Sequence, residues 1–197
     1  MVVIGLCGLN GGGKGVAATI LKNKGFIAYS TSDILREECF KQGIDNITRD
    51  HLIIQGTKMR ALYGTDVLTR RVMEKIYAEE GASLAKRDVL RGNYVVESIR
   101  NPGEVNSLRT VPGFVLWSIE ADVRMRFERN KARKREADSQ TLQDFERIEA
   151  IENAKEDAGQ QLIKTSELAD DHLRNEGSLD EFSLMIDAHL AAVRAKK

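Results

Sequence analysis

The chain has 197 residues, of which 42% are hydrophobic and 30% are charged, and its 30 basic and 30 acidic residues balance. This length suffices for one domain with a substantial core, and the neutral balance argues against a protein that mainly binds a nucleic-acid backbone. No apolar run approaches the roughly 18 residues of a membrane-spanning helix. The two cysteines, Cys7 and Cys39, have neither a zinc-binding nor a Cys-x-x-Cys spacing. We expect a single cytoplasmic domain over 1–197 without nucleic-acid or membrane partners, and the oligomeric state stays open.

Strands alternate with helices along the chain. The predicted strands are 2–6, 26–29, 94–97, 114–119 and, with less apolar character, 172–175. Helical spacing predicts helices at 13–23, 32–42, 122–135, 142–168 and 179–194, and two more in a long insertion at 48–86 that is broken near Gly64. Strands separated by helices require crossover connections. The pattern therefore predicts an α/β fold of three layers, with a five-stranded parallel sheet flanked by helices.

The turn after the first predicted strand is rich in glycine and ends in a lysine. Gly8 and Gly13-Lys14 have the Walker A spacing and lie between a buried strand and a helix, as that motif requires. Glycines let backbone N–H groups turn onto phosphate oxygens, and the following helix adds the positive end of its dipole. Lys14 is predicted to contact the β- and γ-phosphates. The predicted ATP-binding residues are Gly8, Leu9, Asn10, Gly11, Gly12, Gly13, Lys14, Gly15 and Val16.

The residues after Lys14 depart from the general motif. Ser or Thr usually follows the lysine and its hydroxyl binds Mg²⁺, but here Gly15 and Val16 follow. Mg²⁺ would then be held through water and a carboxylate from elsewhere, or phosphate would bind without efficient transfer. A carboxylate at the end of a buried strand is unfavourable unless it meets a cation or hydrogen bonds. Glu97, which ends the third predicted strand, is therefore the candidate for binding the metal through water.

The residues around the second strand resemble the adenylate kinase group of nucleoside monophosphate kinases. Those enzymes also have Gly-Lys-Gly in the loop, and the segment 30–36, Ser-Thr-Ser-Asp-Ile-Leu-Arg, is similar to their Ser-Thr-Gly-Asp-x-Leu-Arg motif. The resemblance implies that Thr31 and Arg36 contact the acceptor. The same stretch is also an ordinary helix start, with Thr31 or Ser32 as the N-cap. Both interpretations can hold together.

The end of the third predicted strand carries a second resemblance. Glu97-Ser98-Ile99-Arg100 is similar to the Asp-Gly-Phe-Pro-Arg segment of adenylate kinases, with the arginine one residue earlier. The resemblance implies that Glu97 lies near the magnesium ion and that Arg100 binds the acceptor phosphate.

The segments 99–104 and 175–182 resemble a family of small kinase-like proteins related to adenylate kinase and dephospho-coenzyme A kinase. The likeness covers almost the whole chain. It implies a P-loop kinase fold with a helical acceptor-binding insertion at about 31–88 and a short lid at about 133–145.

Seven basic residues lie between 124 and 135, before the predicted lid. With Phe127 as the one aromatic residue among them, the run is a poor nucleic-acid site. Guanidinium groups can clamp the oxygens of a transferring phosphoryl group, and in the resembling kinases arginines here close over the phosphates. Arg129 and Arg133, on one helical face, are the predicted catalytic arginines. The rest of the run is interpreted as surface charge, and Arg147 on the next helix is a weaker inward-pointing candidate.

The predicted reaction is transfer of the γ-phosphoryl group of ATP, with Mg²⁺, to a small acceptor. Thr31, Arg36 and Arg100 favour a nucleoside or deoxynucleoside monophosphate. A dephospho-coenzyme A kinase-like activity is an alternative, because a ribose hydroxyl needs a base and Asp33 lies just beyond the second strand. A non-catalytic ATP-binding regulator is a second alternative, since it would tolerate the missing hydroxyl after Lys14 and the shifted Arg100.

Overall fold

The structure is a computed structural model of the chain, and it describes residues 1–82, 90–132, 141–153 and 158–195. A sheet of five parallel strands forms its centre, in the order β2-β3-β1-β4-β5. The strands are β1 (Val3–Cys7), β2 (Ile27–Ser30), β3 (Tyr94–Glu97), β4 (Phe114–Glu120) and β5 (Asp171–Arg174). All five predicted strands are confirmed to within one residue at each end.

The helices of the described residues flank this sheet. They are α1 (Lys14–Asn23), α2 (Thr31–Lys41), α3 (Arg49–Tyr63), α4 (Val67–Glu79), α5 (Pro102–Leu108), α6 (Val123–Ala132), α7 (Leu142–Asn153), α8 (Leu162–Glu167) and α9 (Leu179–Ala195). Residues of α1 and α9, such as Leu21 and Phe182, form a core on one face of the sheet. Residues of α2, α4 and α5, such as Leu68, form a second core on the other face. The predicted three-layer α/β fold is therefore confirmed.

The order of the strands explains their composition. β1 lies in the middle, and all five of its residues are buried because helices cover both faces. β5 lies at an edge, and Leu173 is its one buried residue, which is why its sequence signal is weak. The carboxyl ends of β1, β2 and β3 meet at one edge of the sheet, since Gly5 pairs with Val96 and Ser30 pairs with Glu97. The crevice outside such strand ends is where open α/β sheets bind ligands.

The predicted single helix over 142–168 is wrong. α7 ends at Asn153 and α8 begins at Leu162. The chain before α8 is held by the turn after β3, because the Gln161 N–H donates to Arg100 O and the Asn101 side chain donates to Gly159 O. The short helix α5 was not predicted.

The insertion consists of α3 and α4, and the predicted break near Gly64 is confirmed. Gly64 ends α3 with a φ of 96°, a conformation that favours glycine. The predicted apolar face of α4, formed by Val67, Leu68, Val72 and Ile76, is buried throughout. Of the apolar face predicted for α3, Met59 is buried and Leu52 and Ile53 are half-buried, whereas Leu62 is exposed and Arg60 is buried instead. None of the described helices is long and apolar enough to cross a bilayer.

Candidate nucleotide-binding site

The loop between β1 and α1 has the backbone that the glycine pattern predicts. Gly8, Gly11 and Gly13 have φ values of 118°, 82° and 110°, which side chains rarely allow. A Cβ atom on Gly13 would lie 2.1 Å from Nδ2 of Asn175, and one on Gly8 would lie 2.4 Å from the carbonyl oxygen of Ile119. The loop is therefore packed closely against the ends of β4 and β5, and it opens its backbone toward a ligand only with glycine at these positions.

The ammonium group of Lys14 lies against this loop. It is the first residue of α1, and its Nζ donates hydrogen bonds to the carbonyl oxygens of Gly8 at 2.7 Å and Leu9 at 2.9 Å. The loop, the lysine and the N-terminus of a ten-residue helix thus converge, which is the arrangement that binds a polyphosphate. The residues present fit the phosphates of a nucleotide.

Asn175 connects the loop to the predicted catalytic arginine. Its side-chain Nδ2 donates to the backbone oxygen of Gly12 at 2.9 Å, and its backbone carbonyl oxygen accepts from Nη2 of Arg129 at 2.8 Å. Nη1 of Arg129 is buried and has no hydrogen-bond partner among the described residues. An unsatisfied buried donor beside the loop fits a bound anion. The sequence analysis included Asn175 in a segment that resembles a family, but gave it no role. Its position directly after β5, at the edge of the sheet where ligands bind, could have indicated that it belongs to the site.

The interpretation of the rest of the basic run as surface charge is wrong for Arg126. Its side chain is buried and pairs with Glu149 on α7 at 2.5 and 3.0 Å. It also donates to Asn10 O in the loop at 3.1 Å and stacks its guanidinium over the ring of Phe145. Arg126 therefore connects the loop to α6 and α7. Arg147 is exposed and pairs with Asp144, so it does not point inward. Arg133 lies outside the described residues.

The predicted lid falls mostly on residues 133–140, which are also outside the described residues. Residues 142–145, its predicted end, already belong to α7.

The carboxyl of Glu97, at the end of β3, is influenced by four other charged groups. Burial raises the pKa of this carboxyl above its ordinary value, and the charge of Asp33 raises it further. Lys14, Arg36 and Lys22 act in the opposite direction. These charges therefore lie within electrostatic reach of Glu97. The predicted phosphate-binding lysine thus acts electrostatically on the predicted metal-binding carboxylate.

The donor set at Glu97 fits a water-bound Mg²⁺. This ion prefers oxygen ligands, keeps several waters and commonly uses one or two carboxylates with substrate phosphates. Glu97 and Asp33 supply two carboxylates, whereas Gly15 supplies no side chain. No group of three or more His, Cys, Asp or Glu residues suited to a metal occurs within the described ranges.

Thr31 and Arg36 have partners within the protein. The buried hydroxyl of Thr31 donates to Ser98 O at 2.7 Å, which connects the start of α2 to the turn after β3. Nη1 of Arg36 pairs with Oδ1 of Asp33 at 2.7 Å on the surface. Ser98 has a φ of 65°, and it stands where the similar adenylate kinase segment has glycine. The turn thus keeps its left-handed backbone without the glycine.

Arg100 is a cation without a carboxylate partner among the described residues. Its Nη1 donates to Oε1 of Gln160 at 3.0 Å. Burial lowers the pKa of this guanidinium to about 10, and the charge of Arg49 contributes in the same direction. It nevertheless remains charged near neutral pH.

Glu104 shapes the turn that carries Arg100, a role that sequence reasoning missed. It is fully buried, and its Oε1 accepts from Nε and Nη2 of Arg60 at 3.0 and 2.7 Å. Its Oε2 accepts from the backbone N–H groups of Arg100 and Asn101 at 2.7 and 3.2 Å. The glutamate of the 99–104 segment therefore forms a capping box for α5 and anchors α3.

Sequence comparisons show the family. A family model described as an AAA domain matches residues 7–146. A UPF0200 protein of Methanoculleus marisnigri is 31% identical over 197 residues, which is 100% of both chains. A UPF0200 protein of Methanothermobacter thermautotrophicus is 33% identical over 146 residues, covering 74% of this chain and 68% of the relative. The chain belongs to the UPF0200 family. Its glycine loop lies within the AAA-domain match.

Solved structures show the fold of this UPF0200 chain. Shikimate kinase from Aquifex aeolicus covers 100% of each chain, with a TM-score of 0.56 and 13% identity. Shikimate kinase from Acinetobacter baumannii in complex with shikimate has a TM-score of 0.58 and 10% identity, covering 100% of this chain and 95% of its own. A gluconokinase from Sinorhizobium meliloti has a TM-score of 0.54 and 15% identity, with 98% and 93% covered. The UPF0200 chain therefore has a P-loop kinase-like fold.

Proposed function

We propose that this UPF0200 protein transfers the γ-phosphoryl group of ATP to a small acceptor that carries a phosphate, in particular a nucleoside or deoxynucleoside monophosphate. Arg100 carries the proposal. Its guanidinium has no carboxylate partner among the described residues, and it follows β3, the strand next to the one that enters the glycine loop. A half-buried guanidinium that has no carboxylate in contact is suited to bind an anion. An acceptor phosphate would supply that charge beside the donor.

The chemistry of such a transfer is positioning and charge stabilisation. The loop amides and Lys14 hold the donor phosphates, and Arg129, with its unsatisfied Nη1, neutralises charge that develops on the transferred group. Mg²⁺, when bound, neutralises the donor phosphates, and Glu97 is the residue that would hold it through water. The attacking oxygen of an acceptor phosphate is already ionised, so the reaction needs no strong base.

A hydroxyl-bearing acceptor is the second candidate. The observation in its favour is the raised pKa of Glu97, together with its electrostatic coupling to Asp33, because a base with a raised pKa suits proton abstraction from a hydroxyl. A dephospho-coenzyme A kinase-like reaction falls into this class, as do reactions on shikimate and gluconate. Asp33 is less suitable alone, since Arg36 already pairs with it.

The test is an acceptor panel with radiolabelled ATP and Mg²⁺. It contains the ribo- and deoxyribonucleoside monophosphates, dephospho-coenzyme A, shikimate and gluconate. We expect label in one or more nucleoside diphosphates, and loss of this label in Lys14→Ala by on the order of 100-fold or more. Lys164→Ala, which removes an exposed lysine of α8, is the matched control.

Two outcomes of the panel would contradict the proposal. Label only in hydroxyl acceptors would support the second candidate. Tight ATP binding by calorimetry, lost in Lys14→Ala, with no labelled product from any acceptor, would support a non-catalytic ATP-binding role.

A further inference from the structure

A single carboxylate joins three parts of the candidate site. Glu152, in the last turn of α7, accepts from Nη2 of Arg49 at 2.7 and 2.8 Å through its two oxygens. Its Oε2 also accepts from the side chain of Asn10 in the glycine loop at 3.1 Å. Arg49 is the first residue of α3, in the insertion predicted to bind the acceptor. The carboxylate therefore contacts the donor side and the acceptor side at once.

The charges around Glu152 do not balance. The end of α7 that carries Glu152 lies beside the turn that carries Arg100, because the Ile163 N–H donates to Oδ1 of Asn153 and the Gln161 N–H donates to Arg100 O. Among charged groups, Arg49 and then Glu152 act most strongly on the pKa of the Arg100 guanidinium, followed by Arg60 and Glu104. Arg60 and Glu104 neutralise each other in a separate pair. Among the residues that the structure describes, Glu152 is then the carboxylate that contacts Arg49, and no carboxylate contacts Arg100. These two guanidinium groups and one carboxylate carry a net positive charge near the glycine loop.

The two ion pairs of this region are built differently. The side chains of Arg60 and Glu104 are 3% and 0% exposed, and backbone N–H groups complete the shell of Glu104. The side chain of Arg49 is 34% exposed, and only its Nη2 contacts Glu152. Opening the Arg49 pair therefore leaves a cation that water can reach and a 9% exposed carboxylate that keeps its hydrogen bond from Asn10, whereas opening the Arg60 pair leaves two buried charges.

We propose that Arg49 and Arg100 together bind the anionic group of the acceptor, and that Glu152 holds Arg49 until that group replaces its carboxylate. The inference rests on the proposed function, because it assigns the acceptor subsite of the same site. A phosphate dianion carries more charge than a carboxylate and offers a guanidinium more oxygens, so it can displace Glu152. The N-terminus of the 15-residue helix α3 adds a positive dipole at the same place.

The subsite makes an anionic group a requirement of the acceptor. An acceptor without one leaves Arg49 on Glu152 and Arg100 without an anion in contact, so it gains nothing from either arginine.

The experiment measures phosphate binding by calorimetry to full-length protein that is saturated with MgADP, so that the glycine loop is already filled. The variants are Glu152→Gln and Arg49→Gln. Glutamine keeps an oxygen for the Asn10 amide while it removes the competing charge. Glu146→Gln, an exposed change of the same kind on α7, is the matched control. We expect Glu152→Gln to tighten phosphate binding on the order of tenfold, Arg49→Gln to weaken it by a similar factor, and the control to change neither.

A double variant makes the test independent of folding defects. If phosphate replaces Glu152 on Arg49, Arg49→Gln combined with Glu152→Gln binds phosphate as weakly as Arg49→Gln alone. Unchanged or weaker phosphate binding in Glu152→Gln would overturn the inference and leave Glu152 as a structural connector of α3, α7 and the loop. Loss of MgADP binding in Glu152→Gln would do the same, because it would assign Glu152 to the donor side.

The outcome is separable from that of the acceptor panel. Phosphate binding that follows the expected pattern without any labelled product would contradict the proposed reaction and keep the anion subsite. Labelled nucleotides, with no effect of either substitution on phosphate binding, would support the proposed reaction and contradict the anion subsite.

Discussion

At the scale of single residues, the glycine loop contains two neighbours of Lys14 with opposite environments. Gly13 precedes it with a φ of 110°, and a Cβ there would overlap Asn175. Gly15 follows it, and a Cβ there would meet nothing within 4 Å. The fold therefore requires glycine at position 13, whereas it has room for a larger residue at position 15.

This contrast gives a matched pair of substitutions. Gly13→Ala should lower the free energy of unfolding by about 1–3 kcal/mol and abolish ATP binding, because both the backbone and the side chain of Asn175 must move. Gly15→Ala should keep the unfolding temperature or raise it, since alanine is the better helix former. Thermal unfolding and calorimetric titration with ATP measure both effects. Equal losses in the two variants would contradict the assignment of strain to Gly13.

Glu97 predicts a dependence of stability on pH. Its pKa is raised in the folded protein, so the folded state binds this proton more tightly than the unfolded state. The resulting stabilisation is present below the ordinary carboxyl pKa of about 4.3 and is lost as the pH rises through the folded value. Glu97→Gln should therefore raise the unfolding temperature near neutral pH and leave it nearly unchanged near pH 4. A difference that shrinks as the pH rises would contradict this prediction.

At the scale of elements, a buried ion pair holds α3 against α5. Arg60 of α3 and Glu104 of α5 are both buried, and Glu104 also binds the backbone ahead of α5. The pair therefore determines where the turn with Arg100 lies relative to the insertion. It joins residues 44 positions apart in the chain.

Removal of the charge on Glu104 should destabilise the folded protein. Glu104→Gln leaves Arg60 buried without a counter-charge, so we expect a loss of about 3–5 kcal/mol in the free energy of unfolding. Arg147→Gln, which opens the exposed pair with Asp144 on α7, is the control and should cost less than about 1 kcal/mol. Urea titration followed by circular dichroism measures both. A small loss in Glu104→Gln would show that Arg60 finds another partner or water.

At the scale of the whole molecule, the protection of backbone amides from hydrogen exchange should follow the position of each strand in the sheet. β1 is hydrogen-bonded on both sides and covered by both cores, whereas β5 is at an edge and pairs only with β4. Backbone amides of β1 should therefore exchange with deuterium near the rate of global unfolding, and those of β5 should exchange faster. Hydrogen exchange with mass spectrometry compares the two peptides. Faster exchange in β1 than in β5 would contradict this arrangement of the cores.

The sheet could be predicted because its signal is local. β1 reads as a strand from its continuous apolar run, and the glycines after it mark the phosphate loop. The spacing of a lysine after glycines needs no knowledge of distant residues. The helical regions were harder, because the apolar spacing that predicted one helix over 142–168 carries no information on the turn after β3, whose hydrogen bonds hold Gly159 and Gln161 outside a helix.

The roles of the charged residues were decided by tertiary structure. Arg126 and Arg129 lie in one basic run, and nothing local distinguishes the arginine that pairs with Glu149 from the one that keeps an unsatisfied donor. Arg49 and Glu152 are 103 positions apart, and neither has a motif around it. A charge acts through space on whatever the fold brings near it, whereas a glycine acts on its own backbone. The sequence by itself therefore determined the sheet and the phosphate loop, and only the tertiary structure decided which charges surround that loop.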